Sequence, residues 1–211
     1  DKKLSKEILH LRDSHEYSAF TVLSCAFSIL MHLVHDTNKL MIGYPINARG
    51  VKYKNTIGPL FNVHFYSSKI SETTTIEQLL NYLQQQRHEA KQFQHIPFQK
   101  FIEYNLKGHD LKNTEYPNLC LVETKARTAD FSLGDKIKTQ SIETDNLGYH
   151  HDVVFSYEIS DPIRLCWAYK QELFNLDNIK VYQEYLVKIL QLIVAHQNEV
   201  ISCINISNIK L

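Results

Sequence analysis

The chain has 211 residues, of which 44% are hydrophobic, and its 23 lysines and arginines are balanced by 23 aspartates and glutamates. This length and composition predict a globular chain of one or two domains with a substantial core, and the balanced charge excludes a general attraction to nucleic acid or to an anionic membrane. The longest apolar run, residues 19–34, is too short and too often interrupted by polar residues to span a membrane.

The first third of the chain predicts two helices followed by two strands. Leucine and isoleucine recur at three- and four-residue steps in residues 1–16, as on the buried face of a helix. Ser18 is a suitable N-cap for a second, apolar helix at 19–35. The runs 40–46 and 60–66 are rich in β-branched and aromatic residues, and they predict two strands joined by a connector that contains Gly, Pro, Asn and Arg.

Two further helices and a strand are predicted next. The pattern Thr74-x-x-Glu77 is that of a capping box, which predicts a helix from there to about residue 93. Its run 84–89 is strongly polar and predicts a face exposed to solvent. Pro97 suits the first turn of another helix, and residues 118–124 predict a strand.

The last third predicts an irregular segment, a hairpin and a helix. Residues 125–149 have weak periodicity with one irregular strand, and such long segments in compact domains are often functional. Alternation at 151–159 and 163–171 predicts a β-hairpin. Asp177 is the predicted N-cap of a helix at 178–197, and 200–206 is a possible final strand. This order predicts an α/β two-layer sandwich, a mixed β-sheet with helices packed on one face.

The residues that commonly carry chemistry form no familiar motif. The four cysteines (Cys25, Cys120, Cys166 and Cys203) are widely spaced in apolar runs, which predicts buried free thiols in a reducing, cytoplasmic setting. The 11 histidines contain no H-x-x-x-H or H-E-x-x-H pattern, so no metal site is predicted. With six glycines and no phosphate loop, nucleotide binding is not predicted, and no G-x-S-x-G nucleophile motif occurs.

Four polar residues stand out around the first two predicted strands. Asn47 and Arg49 follow the first strand, and Asn62 and His64 lie in the second. Leaving such a polar group near a sheet core without a partner costs about 1–3 kcal/mol. These side chains therefore either cap the ends of strands or face a cavity, and the sequence leaves both interpretations open.

Five stretches, taken in order, match one family. They read IGYPINAR at 42–49, IGPLFNV at 57–63, FQHIPFQKFIE at 93–103, YPNLCLV at 116–122 and YHHDVVFSYE at 149–158. Together they resemble the C-terminal lobe of a non-ribosomal peptide synthetase condensation domain, which has a chloramphenicol-acetyltransferase-like fold. The resemblance covers essentially all of 1–211 and implies a single lobe of a two-lobed enzyme.

The resemblance implies an acyl-transfer function. In this family the tunnel between the lobes admits the phosphopantetheine arms of two carrier proteins, and an amide bond forms between their thioester-bound groups. The expected partners are the N-terminal lobe and peptidyl or acyl carrier proteins, with the arms as substrate carriers and no directly bound cofactor. The alternatives are a non-catalytic module that docks a carrier protein, and the lobe of an epimerisation or heterocyclisation domain.

The resemblance places the catalytic H-H-x-x-x-D-G motif in the first lobe. We therefore expect no catalytic residue in this lobe and an inactive isolated chain, and the start at Asp1 rather than Met leads us to expect a cut from a longer protein. His150-His151 does not supply the motif, because Phe155 stands where its aspartate is required.

The resemblance also implies roles for the polar residues, all as substrate-tunnel or cross-lobe groups. Arg49 either braces the first-lobe aspartate across the lobe boundary or forms a local ion pair. Asn62, in the pattern Gly-x-x-x-Asn, either lines the tunnel or hydrogen-bonds to a neighbouring loop. His64 lies on the same strand face as Asn62 and narrows the cavity, with Asn47 close by. From its irregularity and length alone, and not from the resemblance, the segment 125–149 is expected to cross to the other lobe.

Overall fold

The computed structural model describes residues 1–14, 17–105, 118–124 and 151–205. Its helices and strands follow the predicted order over these residues. The helices are α1 (Lys2–Ser14), α2 (Ala19–His35), α3 (Ile76–Ala90), α4 (Phe98–Asn105) and α5 (Leu176–Ala195), and the strands are β1 (Lys39–Asn47), β2 (Phe61–Lys69), β3 (Leu119–Thr124), β4 (Val153–Glu158) and β5 (Arg164–Tyr169). The irregular strand predicted within 125–149 lies outside the described residues.

The five strands form one mixed sheet in the order β2-β1-β3-β4-β5. The central strands β1, β3 and β4 are parallel, and the edge strands β2 and β5 run antiparallel to their neighbours. The nine residues of β1 pair in register with the nine residues of β2, from Lys39 opposite Lys69 to Asn47 opposite Phe61. The predicted mixed sheet and the predicted hairpin of β4 and β5 are both confirmed.

Helices α1, α2, α3 and α5 cover one face of this sheet, as predicted. Helix α2 lies in the centre, and every residue from 19 to 31 is buried because the helix contacts the sheet, α1, α3 and α5. Its Phe27 stacks on Phe155 of β4 with ring centroids 5.3 Å apart, and Trp167 of β5 lies 5.9 Å from the same ring. Strand alternation directs one side chain in two towards these helices. Phe65 of β2 points the other way and packs against Phe98 of α4.

The helix caps differ from two predictions. The capping box of α3 consists of Thr75 and Gln78, one residue later than predicted, because the Thr74 hydroxyl accepts the backbone N–H of Ser71 instead. The N-cap of α5 is Asn175, which exchanges hydrogen bonds with Asn178, so the helix begins before the predicted cap at Asp177. Each segment contains two nearby residues able to cap, Thr74 and Thr75 in one and Asn175 and Asp177 in the other, and the pattern alone selects the wrong one.

The predicted strand at 200–206 is wrong. Val200 forms a single antiparallel bridge with Thr75, and residues 201–203 then make a 3-10 turn. The side chain of Ile201 is fully buried and anchors this turn against the core. The apolar character that indicated a strand therefore reflects burial of a turn.

The burial predicted for the cysteines is half right. Cys25 and Cys120 are buried free thiols, whereas Cys166 and Cys203 are exposed free thiols. Cys166 alternates with the core residues Leu165 and Trp167 on β5, so its side chain points to the face without the helices. Burial raises the pKa of the Cys120 thiol to about 11.

Of the helices in the described part of the chain, none is long and apolar enough to cross a membrane.

Candidate functional site

A cavity of about 260 Å³ opens where the C-terminal ends of β1 and β3 meet β2. Helix α2 contributes Phe20 to its wall, β1 contributes residues 44–47, β2 contributes His64, and β3 contributes Leu121 and Glu123. The end of α3 and the segment after it complete the wall with Arg87, Lys91 and Gln94. In open α/β sheets, ligands bind in the crevice outside the carboxyl ends of the strands, and this cavity has that position.

The wall formed by β1 and β2 carries a neutral polar pair. Tyr44 and His64 are opposite each other in the two strands, and their rings meet edge to face with centroids 6.0 Å apart. Burial lowers the pKa of His64 below its usual value, so the imidazole is uncharged at neutral pH. Burial raises the pKa of Tyr44, and the positive charge of Arg87 opposes this shift. Both groups can form hydrogen bonds here without a charge of their own.

The α3 side of the cavity is positive. The Arg87 guanidinium lies over the Phe20 ring, 4.6 Å from its centroid, and it donates a hydrogen bond to the Ser18 hydroxyl. Lys91 lines the same cavity one helical turn further on. In the described part of the chain, no carboxylate forms an ion pair with Arg87 or Lys91. Arg87 is therefore oriented by an aromatic ring and a hydroxyl, not by an ion pair with a carboxylate.

The β3 side is negative. The carboxylate of Glu123 accepts a hydrogen bond of 3.1 Å from the Tyr157 hydroxyl. Tyr157 is buried, and both this burial and the neighbouring Glu123 raise the pKa of Tyr157, which keeps its hydroxyl protonated as the donor. The cavity thus has two cationic side chains on one wall and a tethered carboxylate on another.

Sequence reasoning missed the charged residues of this cavity. The run 84–89 was predicted to face solvent, yet Arg87 is half-buried and packs over Phe20. A usable signal was the spacing of Leu80, Leu83 and Arg87, since residues three and four apart lie on one helix face. Glu123 gave no signal of its own, because a charged residue at the end of a strand is ordinary.

Arg49 makes local contacts outside the cavity. Its guanidinium donates to the carbonyl oxygens of Tyr53 at 3.0 Å, Gly58 at 2.7 Å and Thr56. Its backbone N–H donates to the Asn47 side chain at 2.9 Å. These partners are carbonyl groups of the β1–β2 loop, not the carboxylate that a local ion pair requires. The cross-lobe contact stays a prediction.

Asn62 fastens a neighbouring segment to β2. Its side-chain amide donates to the carbonyl oxygens of Ile96 at 2.6 Å and Gln94 at 3.3 Å, and its side-chain oxygen accepts from the backbone N–H groups of Phe98 and Val63. These are the contacts expected of an asparagine bonded to a neighbouring loop. Of the four residues predicted for the site, Asn47 and His64 line the cavity, whereas Arg49 and Asn62 hold the segments beside it.

No group of three or more His, Cys, Asp or Glu side chains able to hold a metal ion occurs among the residues that the structure describes. His32 hydrogen-bonds to the carbonyl oxygen of Thr37 at 2.8 Å, and His35 hydrogen-bonds to the Tyr182 hydroxyl at 3.2 Å. His151 is half-buried immediately before β4, and His150 lies outside the described residues.

Comparison with known families decides what this fold is. The family model of the condensation domain matches residues 1–209. The chain belongs to the condensation-domain family. Within that family it corresponds to the C-terminal lobe, which confirms the resemblance of the five sequence stretches.

Relatives and solved structures agree with this assignment. Tyrocidine synthase 3 of Brevibacillus parabrevis is 21% identical over 199 residues, which are 93% of this chain and 3% of that protein. The four-domain non-ribosomal peptide synthetase AB3403, bound to AMP and glycine, has a TM-score of 0.87 at 17% identity, over 98% of this chain and 17% of that one. The X-domain from teicoplanin biosynthesis has a TM-score of 0.81 at 18% identity, over 97% of this chain.

The chain is much shorter than the proteins it resembles. It spans 48% of the teicoplanin X-domain chain and 46% of the first condensation domain of the CDA synthetase. These structural likenesses establish the fold, a condensation-domain lobe of about half the length of a complete domain.

Proposed function

We propose that this chain is the C-terminal lobe of an amide-forming condensation domain and supplies one wall of its substrate tunnel. The observation that carries the proposal is the match of the condensation family over residues 1–209, together with a fold similarity to a non-ribosomal peptide synthetase at a TM-score of 0.87. The cavity at the carboxyl edge of β1 and β3 is the part of this lobe that we assign to the tunnel.

The proposed reaction joins two carrier-bound groups. The amine of the downstream aminoacyl thioester attacks the thioester carbon of the upstream group, the C–S bond breaks, and the upstream phosphopantetheine thiol leaves as the amide forms. The attacking nitrogen loses a proton, and the thiol sulfur gains one. The neutral His64 and Tyr44 suit a wall that hydrogen-bonds to a thioester or an amide without adding charge. The general base belongs to the N-terminal lobe in this proposal.

We assign the contact with the N-terminal lobe to the loop between β1 and β2. Three apolar side chains in this loop or at the start of β2 are strongly exposed: Val51 at 94%, Ile57 at 100% and Phe61 at 64%. Exposed apolar surface of this kind is typical of interaction sites. The hydrogen bonds of Arg49 to three carbonyls hold this loop in one shape. In this proposal Arg49 acts by shaping the loop, and a direct bridge to the first-lobe aspartate is the rival prediction.

The remaining proposed partners are peptidyl or acyl carrier proteins, whose phosphopantetheine arms bring the substrates. A cytoplasmic location is part of this proposal. All four cysteines are free thiols, as a reducing compartment requires.

The test uses the synthetase that contains this lobe together with an N-terminal lobe. Its two carrier proteins are loaded, and the amide product is measured by mass spectrometry. We expect product from the two-lobed protein, less product from the Arg49→Ala variant, and none from residues 1–211 alone. The matched control is Arg164→Ala, which replaces an exposed arginine on the opposite edge strand of the sheet.

Three results would contradict the proposal. Amide formation by residues 1–211 alone would show that the catalytic groups lie in this lobe. Carrier binding by the two-lobed protein without any product would favour the non-catalytic docking module, and an epimerised or cyclised product would favour the other related domains.

A further inference from the structure

Arg87 has the environment of an anion-binding arginine. The Phe20 ring supports one face of its guanidinium, and Ser18 accepts one of its N–H groups. A guanidinium has five N–H donors in a fixed planar arrangement, which matches the geometry of a carboxylate or a phosphate. Within the described residues Arg87 has no carboxylate partner, although it is half-buried. Its remaining donors are thus available on the cavity side.

The other charges of the cavity orient an anionic ligand towards Arg87. Lys91 adds a second positive charge to the same wall. Glu123 lies on the β3 wall, where the Tyr157 hydroxyl holds its carboxylate. Like charges repel, so an anionic group that enters the cavity is disfavoured beside Glu123 and favoured beside Arg87 and Lys91.

The size of the cavity is compatible with a small anionic group. Its volume of about 260 Å³ lies just below the range of pockets that enclose a complete small-molecule ligand, about 300–1,000 Å³. A single side chain with a terminal carboxylate fits within such a volume.

We propose that this cavity binds an anionic group through Arg87, with Lys91 in support, and that the group is the side-chain carboxylate of an acidic aminoacyl residue. This inference rests on the proposed condensation function and adds the substrate class. The phosphodiester of the carrier arm is the other source of the same chemistry, and the experiment separates the two. Arg87 is in this proposal a specificity-determining residue and takes no part in the chemical step.

The experiment compares acidic substrates with their neutral isosteres in the two-lobed synthetase. Glutamyl and glutaminyl groups, and aspartyl and asparaginyl groups, are loaded first on the donor carrier and then on the acceptor carrier, and the rate of amide formation is measured for each. On one of the two carriers we expect the wild type to prefer the acidic group by about tenfold or more, since a charge-assisted bidentate pair exceeds a neutral hydrogen bond. Arg87→Gln should abolish this preference. Arg164→Gln should keep it, because Arg164 is exposed on the edge strand β5, which is not part of the cavity wall.

Each outcome decides the inference. Equal rates for acidic and neutral groups in the wild type, on both carriers, would overturn it. If Arg87→Gln lowers the rate of amide formation equally for acidic and neutral groups, the bound anion is assigned to the phosphodiester, and the side-chain assignment is overturned. If Arg87→Gln fails to fold, Arg87→Lys replaces it, and the inference requires a reduced but detectable preference because the charge remains while the bidentate geometry is lost.

A binding measurement separates this inference from the proposed reaction. Calorimetry of the same synthetase with glutamyl-pantetheine and with glutaminyl-pantetheine does not depend on catalysis. Tighter binding of the glutamyl compound that disappears in Arg87→Gln supports the site even where no amide forms. Equal binding of the two compounds refutes the site even where the condensation reaction is confirmed.

Discussion

Replacing Arg49 with alanine is expected to release the β1–β2 loop and to leave the sheet intact. The side chain donates to three carbonyl oxygens of the loop, those of Tyr53, Thr56 and Gly58. Arg49 is half-exposed, so each bond is placed near the lower end of the usual range, about 0.5–1 kcal/mol. The three together stabilise the closed loop by about 2 kcal/mol, which corresponds to a roughly 30-fold rise in its open population on substitution.

Hydrogen exchange followed by mass spectrometry measures this opening directly. Peptides that cover residues 50–58 should exchange faster in Arg49→Ala, whereas peptides from β4 should exchange at the wild-type rate, because the loop opens without global unfolding. In Arg49→Lys the 50–58 peptides should exchange at a rate between those of the wild type and Arg49→Ala, since an ammonium keeps the charge but lacks the planar set of donors. Arg164→Ala serves as the matched control and should leave the loop unchanged.

Two results would refute this reasoning. Wild-type exchange at 50–58 in Arg49→Ala would show that the carbonyl contacts do not hold the loop. An equal rise in exchange at β4 would show that Arg49 stabilises the whole domain and that the loop is not an independent unit. A loss of condensation activity with unchanged loop exchange would instead favour the direct cross-lobe bridge.

Four further substitutions or measurements test other parts of the structure. Asn62→Ala removes the contacts with the segment before α4 and should cost about 1–2 kcal/mol in urea unfolding, with faster exchange of the residue 98 amide. Phe27→Ala leaves a cavity beside the β4 and β5 aromatic rings and should cost about 3–5 kcal/mol in the same assay. Burial lowers the pKa of His64 in the folded protein, so the unfolded chain binds more protons as the pH falls below about 6.5. The free energy of unfolding should therefore decrease as the pH decreases through that range, and His64→Gln should remove this contribution. A thiol reagent should modify exposed Cys166 rapidly in the folded protein, whereas buried Cys120 should react only after unfolding in urea.

The layered fold could be predicted from the sequence because periodicity reports burial. The apolar residues of α2 and the alternation of β4 and β5 are direct consequences of one buried face, and the structure has both elements. The caps at Thr75 and Asn175 were missed because capping depends on which of two neighbouring polar residues reaches the free backbone N–H groups. That choice is made by tertiary contacts, such as the bridge between Thr75 and Val200.

The candidate site could be predicted only in part. The positions of His64 and Asn47 beside the cavity could be predicted, because strand alternation and strand ends can be recognised in the sequence. The positive wall formed by Arg87 and Lys91 could not be predicted from the sequence, since a polar run on a helix is normally exposed to solvent. Arg87 departs from that norm because its guanidinium packs over a ring of another helix, a contact between residues 67 positions apart in the chain.

The two groups of polar residues in this lobe have separable effects. Arg49 and Asn62 hydrogen-bond to backbone carbonyls and so fix the position of the segments that flank the cavity. Arg87 and Glu123 present charge to the interior of the cavity. Under the proposed condensation function, misplacing a flanking segment would alter the tunnel for every substrate, so Arg49 and Asn62 variants should lose activity alike for acidic and neutral aminoacyl groups. Changing a charge in the cavity would affect each substrate according to the charge of that substrate. Variants of Arg87 and Glu123 should therefore change the order of preference among substrates, whereas variants of Arg49 and Asn62 should not.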